Sequence, residues 1–430
     1  MRQGMNEVII IGAGPAGSTM GAYLSRAGIK NLILEGNNHP RAHVGESMVT
    51  SSTRVFKEID FLRVLEREKF VHKHGASWHE IAGRESAITF SEFPQEGISQ
   101  PYTYHVDRSK LDLLLLQHAH TLGSEVYQGV QVKQVLFDGD RAVGVRARLG
   151  DKEIDLSAKV VIDASGRGTL LGRQLKLKKN DPIFDQFAVH AWFENVHRGQ
   201  PETAEYIHIY FLPVERGWAW QIPITDTITS IGIVAEKQVF RQFEGDPASY
   251  FARYVSSNKA LVEAMADAVR VNDFKTEGDY SYSMERFVGD GWILIGDAAR
   301  FVDPIFSSGV SIALYSAKYS SEFVRQAFET GDFSHAFFSN YERKLRAGVD
   351  VWYEFIRLYY KLLPLFTHFI RSKTHRIEVL RLLQGEVYDR KEVPVLAAMR
   401  KYIETVERTD GHLLKEKLAS IPIDDLPVPE

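Results

Sequence analysis

Val8-Ile9-Ile10-Ile11 runs straight into Gly12-Ala13-Gly14-Pro15-Ala16-Gly17, an apolar stretch followed by three glycines at G-x-G-x-x-G spacing. In a strand-turn-helix unit such glycines permit the tight turn, bring backbone close to a pyrophosphate and let the helix lie against the sheet. A second apolar run, Leu32-Ile33-Leu34, ends on Glu35, near the ~20-residue offset at which a carboxylate accepts the hydroxyls of an adenosine ribose. A glycine turn alone is an ordinary steric device. With the strand before it and the acid after it, the pattern predicts a dinucleotide site on Gly12, Gly14, Ala16, Gly17 and Glu35.

Further polar groups gather near turns and helix starts. The loop His39-Pro40-Arg41-Ala42-His43-Val44-Gly45-Glu46-Ser47 carries an arginine, a glycine and hydrogen-bonding side chains, and by itself reads equally as a plain polar loop. Arg108 stands at the start of a helix with apolar positions Leu111, Leu114, Leu115 and Ala119; a cation there opposes the helix dipole unless it serves a nearby anion, such as a pyrophosphate. Ser308-Gly309 opens another helix, and consecutive amides with a glycine at a helix start make an anion nest as readily as an ordinary cap. His72, His74 and His79 have H-x-H-x4-H spacing, but no carboxylate or cysteine completes a recognisable ligand set, so no metal is expected. Lys73, between two of them, reads on its own as a solvated lysine.

These residues need elements to hold them. Residues 1–36 read as strand, turn, helix (Ser18 to Ala27, stopped by Gly28) and strand, and Ser51 to Glu68 as one helix. Loose alternation over 80–105 predicts short antiparallel strands. Val130 to Ala147, interrupted by Asp138-Gly139-Asp140, and Lys152 to Ile162 read as strands, and Val160 to Gly166 repeats the buried-strand-and-turn theme. From Pro182 to Arg286 the chain alternates with many aromatics, as in an antiparallel sheet with one buried face: Ala188 to Phe193, Ala204 to Phe211, Trp218 to Pro223 and Ser230 to Val234, with a helical insertion over Gln242 to Val269. Trp292 to Ala299 returns to the first sheet, and a helix follows Gly309 through Val324. Residues 333–410 are mainly helical, with Trp352, Phe355, Ile356, Tyr359, Tyr360 and Leu363 on one stripe, expected in the core; the acidic, proline-bearing last dozen residues read as a loose tail.

Composition narrows the partners. A length of 430 residues suggests two or three domains, and a hydrophobic fraction of 44% is ample for their cores. A net charge of −4 gives no electrostatic case for nucleic acid. Zero cysteines exclude disulfides, iron-sulfur clusters and thiol catalysis. The first strand begins near Glu7, leaving no room for a cleaved leader, and no apolar run has membrane-spanning length, so a cytoplasmic location is expected.

Gly12-x-Gly14-x-x-Gly17, Gly296-Asp297 and the interrupted nucleotide domain resemble flavoprotein monooxygenases of the hydroxybenzoate hydroxylase type over about the first 330 residues. Within that span Trp218-Ala219-Trp220-Gln221-Ile222-Pro223 matches the WxWxIP signature of flavin-dependent halogenases, and Lys73 falls where that family keeps its catalytic lysine. Nearly the whole chain is similar to the branch that chlorinates pyrrole or phenol rings held on a carrier protein, as in pyoluteorin-type biosynthesis. The resemblance implies an α/β protein: a discontinuous Rossmann-type FAD-binding domain (1–80, 104–181 and 287–332), an antiparallel-sheet substrate domain (81–103 and 182–286) and a helical C-terminal region (333–430).

It also implies a chemistry. FADH2 from a separate flavin reductase would bind through Gly12 to Gly17, Glu35, Arg41, Ser47, Arg108 and Asp297 and activate O2. A chloride or bromide held by the amides of Ser308 and Gly309 would be oxidised to hypohalous acid. Trp218 and Trp220, with Ile222 and Pro223, would bar the organic ring from the flavin while the small oxidant passes to Lys73, which would act either as a hydrogen-bonding ammonium or as an amine forming a chloramine. Indole-directed halogenases carry a glutamate where this chain has Phe306, which fits a more electron-rich phenol or pyrrole; His190 and Glu194 are candidates for proton removal that also read as structural. The competing readings are an aromatic hydroxylase or reductase of the same fold, and a flavin-binding scaffold without chemistry.

Overall fold

A computed structural model describes residues 6–94, 100–278, 281–363, 365–388, 390 and 392–408. The expected loose tail lies outside these residues. Two compact units result, each threaded discontinuously: Met1–Lys69, Val106–Pro182 and Ser281–Val349 form the first, and Phe70–His105, Ile183–Tyr280 and Asp350–Glu430 the second.

The first unit is built on an apolar strand, Asn6–Ile11, whose last four residues are buried, as a strand covered on both faces requires. It pairs in parallel with Asn31–Glu35 on one side and Lys152–Asp163 on the other, with Ile10 beside both Ile33 and Ile162. Glu125–Gln128 and Trp292–Leu294 extend the parallel sheet outward. The helix Pro15–Arg26 starts with proline at its first position, where no amide hydrogen bond is lost, and buries Met20, Ala22 and Leu24. The expected interruption at Asp138-Gly139-Asp140 is a hairpin between Val130–Asp138 and Arg141–Leu149.

The second unit is a mixed sheet in the order Val269–Arg270, Gln186–Glu194, Thr229–Glu236, Trp218–Pro223, Ile207–Phe211, Gly75–His79 and Glu85–Thr89. All neighbours are antiparallel except Ile207–Phe211 with Gly75–His79. Alternation divides the tryptophan strand between the two faces: Ala219 joins Ile231, Ile233 and Tyr210 in a core with Tyr250, Phe251 and Leu261, while Trp218, Trp220 and Ile222 point to the other face. In the C-terminal helices Trp352, Phe355, Ile356 and Tyr359 are fully buried, as a core stripe should be.

Several boundaries differ from expectation. Residues 70–80 belong with the aromatic sheet and 333–349 with the nucleotide-type unit, because strand pairing and helix packing outweigh local composition. Ser51 to Glu68 is two helices, Ser51–Glu58 and Leu62–Arg67, broken where Asp60 turns left-handed at φ 60°. The insertion over 242–269 holds two short helices, Pro247–Val255 and Lys259–Ala264, each capped by a side chain, Asp246 and Asn258. No described helix is long and apolar enough to cross a membrane.

Candidate functional site

In the first unit two glycines after Asn6–Ile11 leave no room for a side chain. Gly12 sits at φ +102°, and a Cβ there would lie 2.4 Å from the Ala164 carbonyl oxygen; a Cβ on Gly17 would lie 2.0 Å from the carbonyl oxygen of Gly12. Gly14, by contrast, faces open space, and the helix it opens has no acidic residue in its first turn. The helix N-terminus thus presents its partial positive charge beside a bare backbone.

Glu35 is locked at the end of its strand. The Ala13 amide donates to Glu35 Oε2 at 2.8 Å and the Asn37 amide to Oε1 at 2.9 Å, so the carboxylate is oriented yet keeps lone pairs for further donors. Arg41 Nη2 stands 3.9 Å from the same Oε2, while its Nε and the Ser47 hydroxyl are buried atoms with no hydrogen-bond partner. Buried polar atoms are nearly always satisfied, so these two mark a place for a polar ligand. A dinucleotide fits this set: bare backbone at Gly14, an oriented acid, and two unsatisfied polar groups.

Arg108 begins the helix Arg108–Leu122, and the anion it meets is within that helix. Its Nε and Nη2 donate to Asp112 Oδ1 and Oδ2 at 2.8 and 2.9 Å, and Nη1 donates to the Val44 carbonyl at 2.6 Å. An i,i+4 carboxylate thus stabilises a cation at this helix start from within the helix itself. Burial works against the charge, but Asp112 outweighs it and holds the guanidinium above its ordinary range. Burial pushes the Asp297 carboxyl up to about 6, with Arg108 and Arg167 opposing it.

The helix Ser308–Thr330 begins abruptly. Ser307 lies in the left-handed region at φ 57°, an unusual conformation for a non-glycine residue, and its side chain makes no capping hydrogen bond. A left-handed residue before a helix turns successive amides toward one point, and Ser308 and Gly309 are the first two helical residues there.

The remaining predicted residues lie in the second unit. Lys73 ends the short strand Val71–Lys73, paired with Thr103–His105, and is only 3% exposed. Its ammonium sits 5.7 Å from the centroid of the Phe90 ring, and burial pushes it down to about 7. This lysine is not the solvated one that composition favours.

Trp218 and Trp220 are buried, their rings 5.9 Å apart, and each indole N–H is anchored: Trp218 Nε1 donates to the Tyr360 hydroxyl at 2.9 Å and Trp220 Nε1 to Ser230 Oγ at 3.1 Å. Gly232, the cross-strand neighbour of Trp220, makes room for it, since a Cβ there would lie 2.2 Å from the indole ring. Ile222 continues the face, and Pro223 ends the strand. His190, across Gly232 in the same row, is buried 5.7 Å from the Trp220 ring, and burial pushes its imidazole down to about 4, so it is neutral at pH 7. Glu194, at the strand end, is exposed.

The three histidines of the H-x-H-x4-H run go to different neighbours. His72 stacks on Tyr102 at 4.0 Å and His74 packs on the same ring at 5.4 Å. His79 instead meets His208, with Glu85 close by. A set drawn from three strands, with His208 129 positions from His79, carries no local signal.

Comparisons with known proteins show the family and the fold. A family profile described as tryptophan halogenase matches residues 81–364, and one described as an NAD(P)-binding Rossmann-like domain matches residues 10–88. The chain is 44% identical to a 1H-pyrrole-2-carbonyl-(peptidyl-carrier protein) chlorinase of Pseudomonas fluorescens, over 97% of each chain. It is 31% identical to the corresponding brominase of Pseudoalteromonas luteoviolacea, over 94% of this chain and 97% of that one. Among solved structures, that of the flavin-dependent brominase Bmp2 matches with a TM-score of 0.86 and 29% identity, covering 94% of this chain and all of the other.

Proposed function

The chain belongs to the flavin-dependent halogenase family, and from that premise we propose that it chlorinates a pyrrole-2-carbonyl group carried on a peptidyl carrier protein. The support for the substrate is the 44% identity, over almost the full length, to a chlorinase of that description. FADH2 supplied by a separate reductase, oxygen and chloride complete the reaction, and the cytoplasm is its setting. When bound, the reduced flavin supplies the electrons and the oxygen activation that make halide electrophilic.

The chain's own residues handle binding and delivery. The Gly12–Gly17 turn, Glu35, Arg41, Ser47, Arg108 and Asp297 hold the cofactor; the Ser308 and Gly309 amides hold the halide. Trp218 and Trp220 are fixed at their indole N–H groups, as a rigid barrier to an organic ring requires. Phe306 is buried and offers no acid for proton removal, which suits a ring that is already electron-rich.

The observation that carries the reading is the burial of Lys73. With its ammonium pushed down to about 7, both protonation states are populated near neutrality. The ammonium donates a hydrogen bond to the oxygen of hypochlorous acid and so polarises its chlorine; the neutral amine exchanges N–H for N–Cl, releasing water. Either form directs chlorine to one ring. Intact-mass spectrometry of a pyrrole-2-carbonyl carrier protein, incubated with the enzyme, a flavin reductase and chloride, should show hydrogen replaced by chlorine, with no change when chloride is omitted. A hydroxylated ring, or turnover of substrate without halide, would overturn the proposal.

A further inference from the structure

Strand pairing in the second unit brings together three side chains that the halogenation reading does not use. His79 lies beside Tyr210 in the parallel pairing and opposite Glu85 in the antiparallel one, while His208 lies beside Ser77. Strict alternation then puts Ser77, His79, His208, Tyr210 and Glu85 on one face of the sheet. His79 Nε2 and His208 Nδ1 are 2.9 Å apart, Ser77 Oγ is 3.5 Å from His79 Nε2 and donates to Glu85 Oε1 at 2.5 Å, and one ligand atom from each of His79, His208 and Glu85 lies within 4.8 Å of the others.

We infer that His79, His208 and Glu85 form a binding site for one zinc-class divalent transition-metal ion. Two imidazoles and a carboxylate are a known ligand set for such an ion, leaving a fourth tetrahedral position for water, and imidazole selects these metals over magnesium and calcium. The surrounding groups already orient the ligands. His208 Nε2 donates to the Thr203 carbonyl at 3.0 Å, which leaves the lone pair on Nδ1, the atom that faces His79. The Tyr210 ring stacks on His79 at 4.5 Å and is itself fixed by its hydroxyl donating to Gln221 at 2.8 Å. Glu85 is exposed while both histidines are buried, which gives an ion a way in.

In the empty site the two rings share the proton on His79 Nε2. Metal binding replaces it: that proton leaves Nε2, His79 takes its other neutral tautomer with N–H at Nδ1, and the ring nitrogens separate by roughly 0.4 Å to reach tetrahedral metal-nitrogen distances. The bound ion would pin Gly75–His79, the strand that follows Lys73 and His74, to Ile207–Phe211, the neighbour of the tryptophan strand.

Isothermal titration of the FAD-loaded, chelator-stripped protein with Zn²⁺ tests it, alongside thermal unfolding. We expect one saturable equivalent with a micromolar or tighter Kd and a rise in Tm. Binding should weaken at least about 10-fold in His79→Gln and His208→Gln, since loss of a mere outer-shell partner already costs that much, and be unchanged in His72→Gln and His74→Gln. Glu85→Gln, at an exposed position, keeps the test sharp if a histidine variant fails to fold, and it too should bind more weakly. Absence of saturable binding, or undiminished binding in Glu85→Gln together with either histidine variant, would overturn the inference.

Discussion

Arg108 in the first unit and Lys73 in the second are both buried cations, 5% and 3% exposed, and they are treated in opposite ways. Arg108 meets Asp112 through a two-pronged pair and remains charged, whereas burial brings Lys73 down to about 7. A guanidinium fixed in charge is suited to setting the potential at a cofactor site; an amine whose proton is loosely held is suited to exchanging one. The contrast is between a cation kept charged and one brought close to neutrality.

The largest effect should come from breaking the arginine's pair. Asp112→Asn leaves Arg108 buried without its carboxylate and should cost about 3–5 kcal/mol in urea unfolding, the usual penalty for an orphaned buried charge. A loss below about 1 kcal/mol would show that Arg108 is stabilised some other way.

Lys73 should behave in reverse. Its folded-state pKa of about 7 lies below the ordinary 10.5, so the unfolded chain holds the proton up to higher pH than the folded one does. Between those values the unfolded state binds more protons, and stability rises with pH. Below pH 7 the buried charge exerts its full penalty. Lys73→Met should therefore gain on the order of a few kcal/mol at pH 6, an advantage that shrinks as pH climbs toward 10. Equal stability of variant and parent at pH 6 would dissolve the contrast with Arg108.

A smaller effect sharpens the surroundings of the lysine's unit. Gly232→Ala places a methyl against the Trp220 ring and should cost about 1–3 kcal/mol, read as a lower Tm. Unchanged Tm would mean that the indole is free to move aside.

The two cations also differ in how far the sequence reveals them. The Gly12–Gly17 turn and Glu35 are legible because turn, strand and acid are neighbours along the chain, and alternation alone bounds the tryptophan strand at Trp218 and Pro223. The carboxylate that meets Arg108 stands four residues on, within reach of any helical reading. The burial of Lys73 has no local trace: it depends on pairing with Thr103–His105 and on Phe90, and only the family resemblance singled the residue out. His79 stands out only through a spacing that joins it to His72 and His74; its partners His208 and Glu85 carry no local signal, because strand register alone assembles the set.

The most direct test of the central claim follows the fate of chlorine in Lys73→Ala. With FADH2, oxygen and chloride the variant should still bind FAD and release hypochlorous acid to a soluble trap. Its chlorinated pyrrolyl carrier protein should fall by at least about 10²-fold, the scale expected when one positioned polar group is removed from a reacting site. Chlorinated carrier protein formed at the parent's rate would contradict the account.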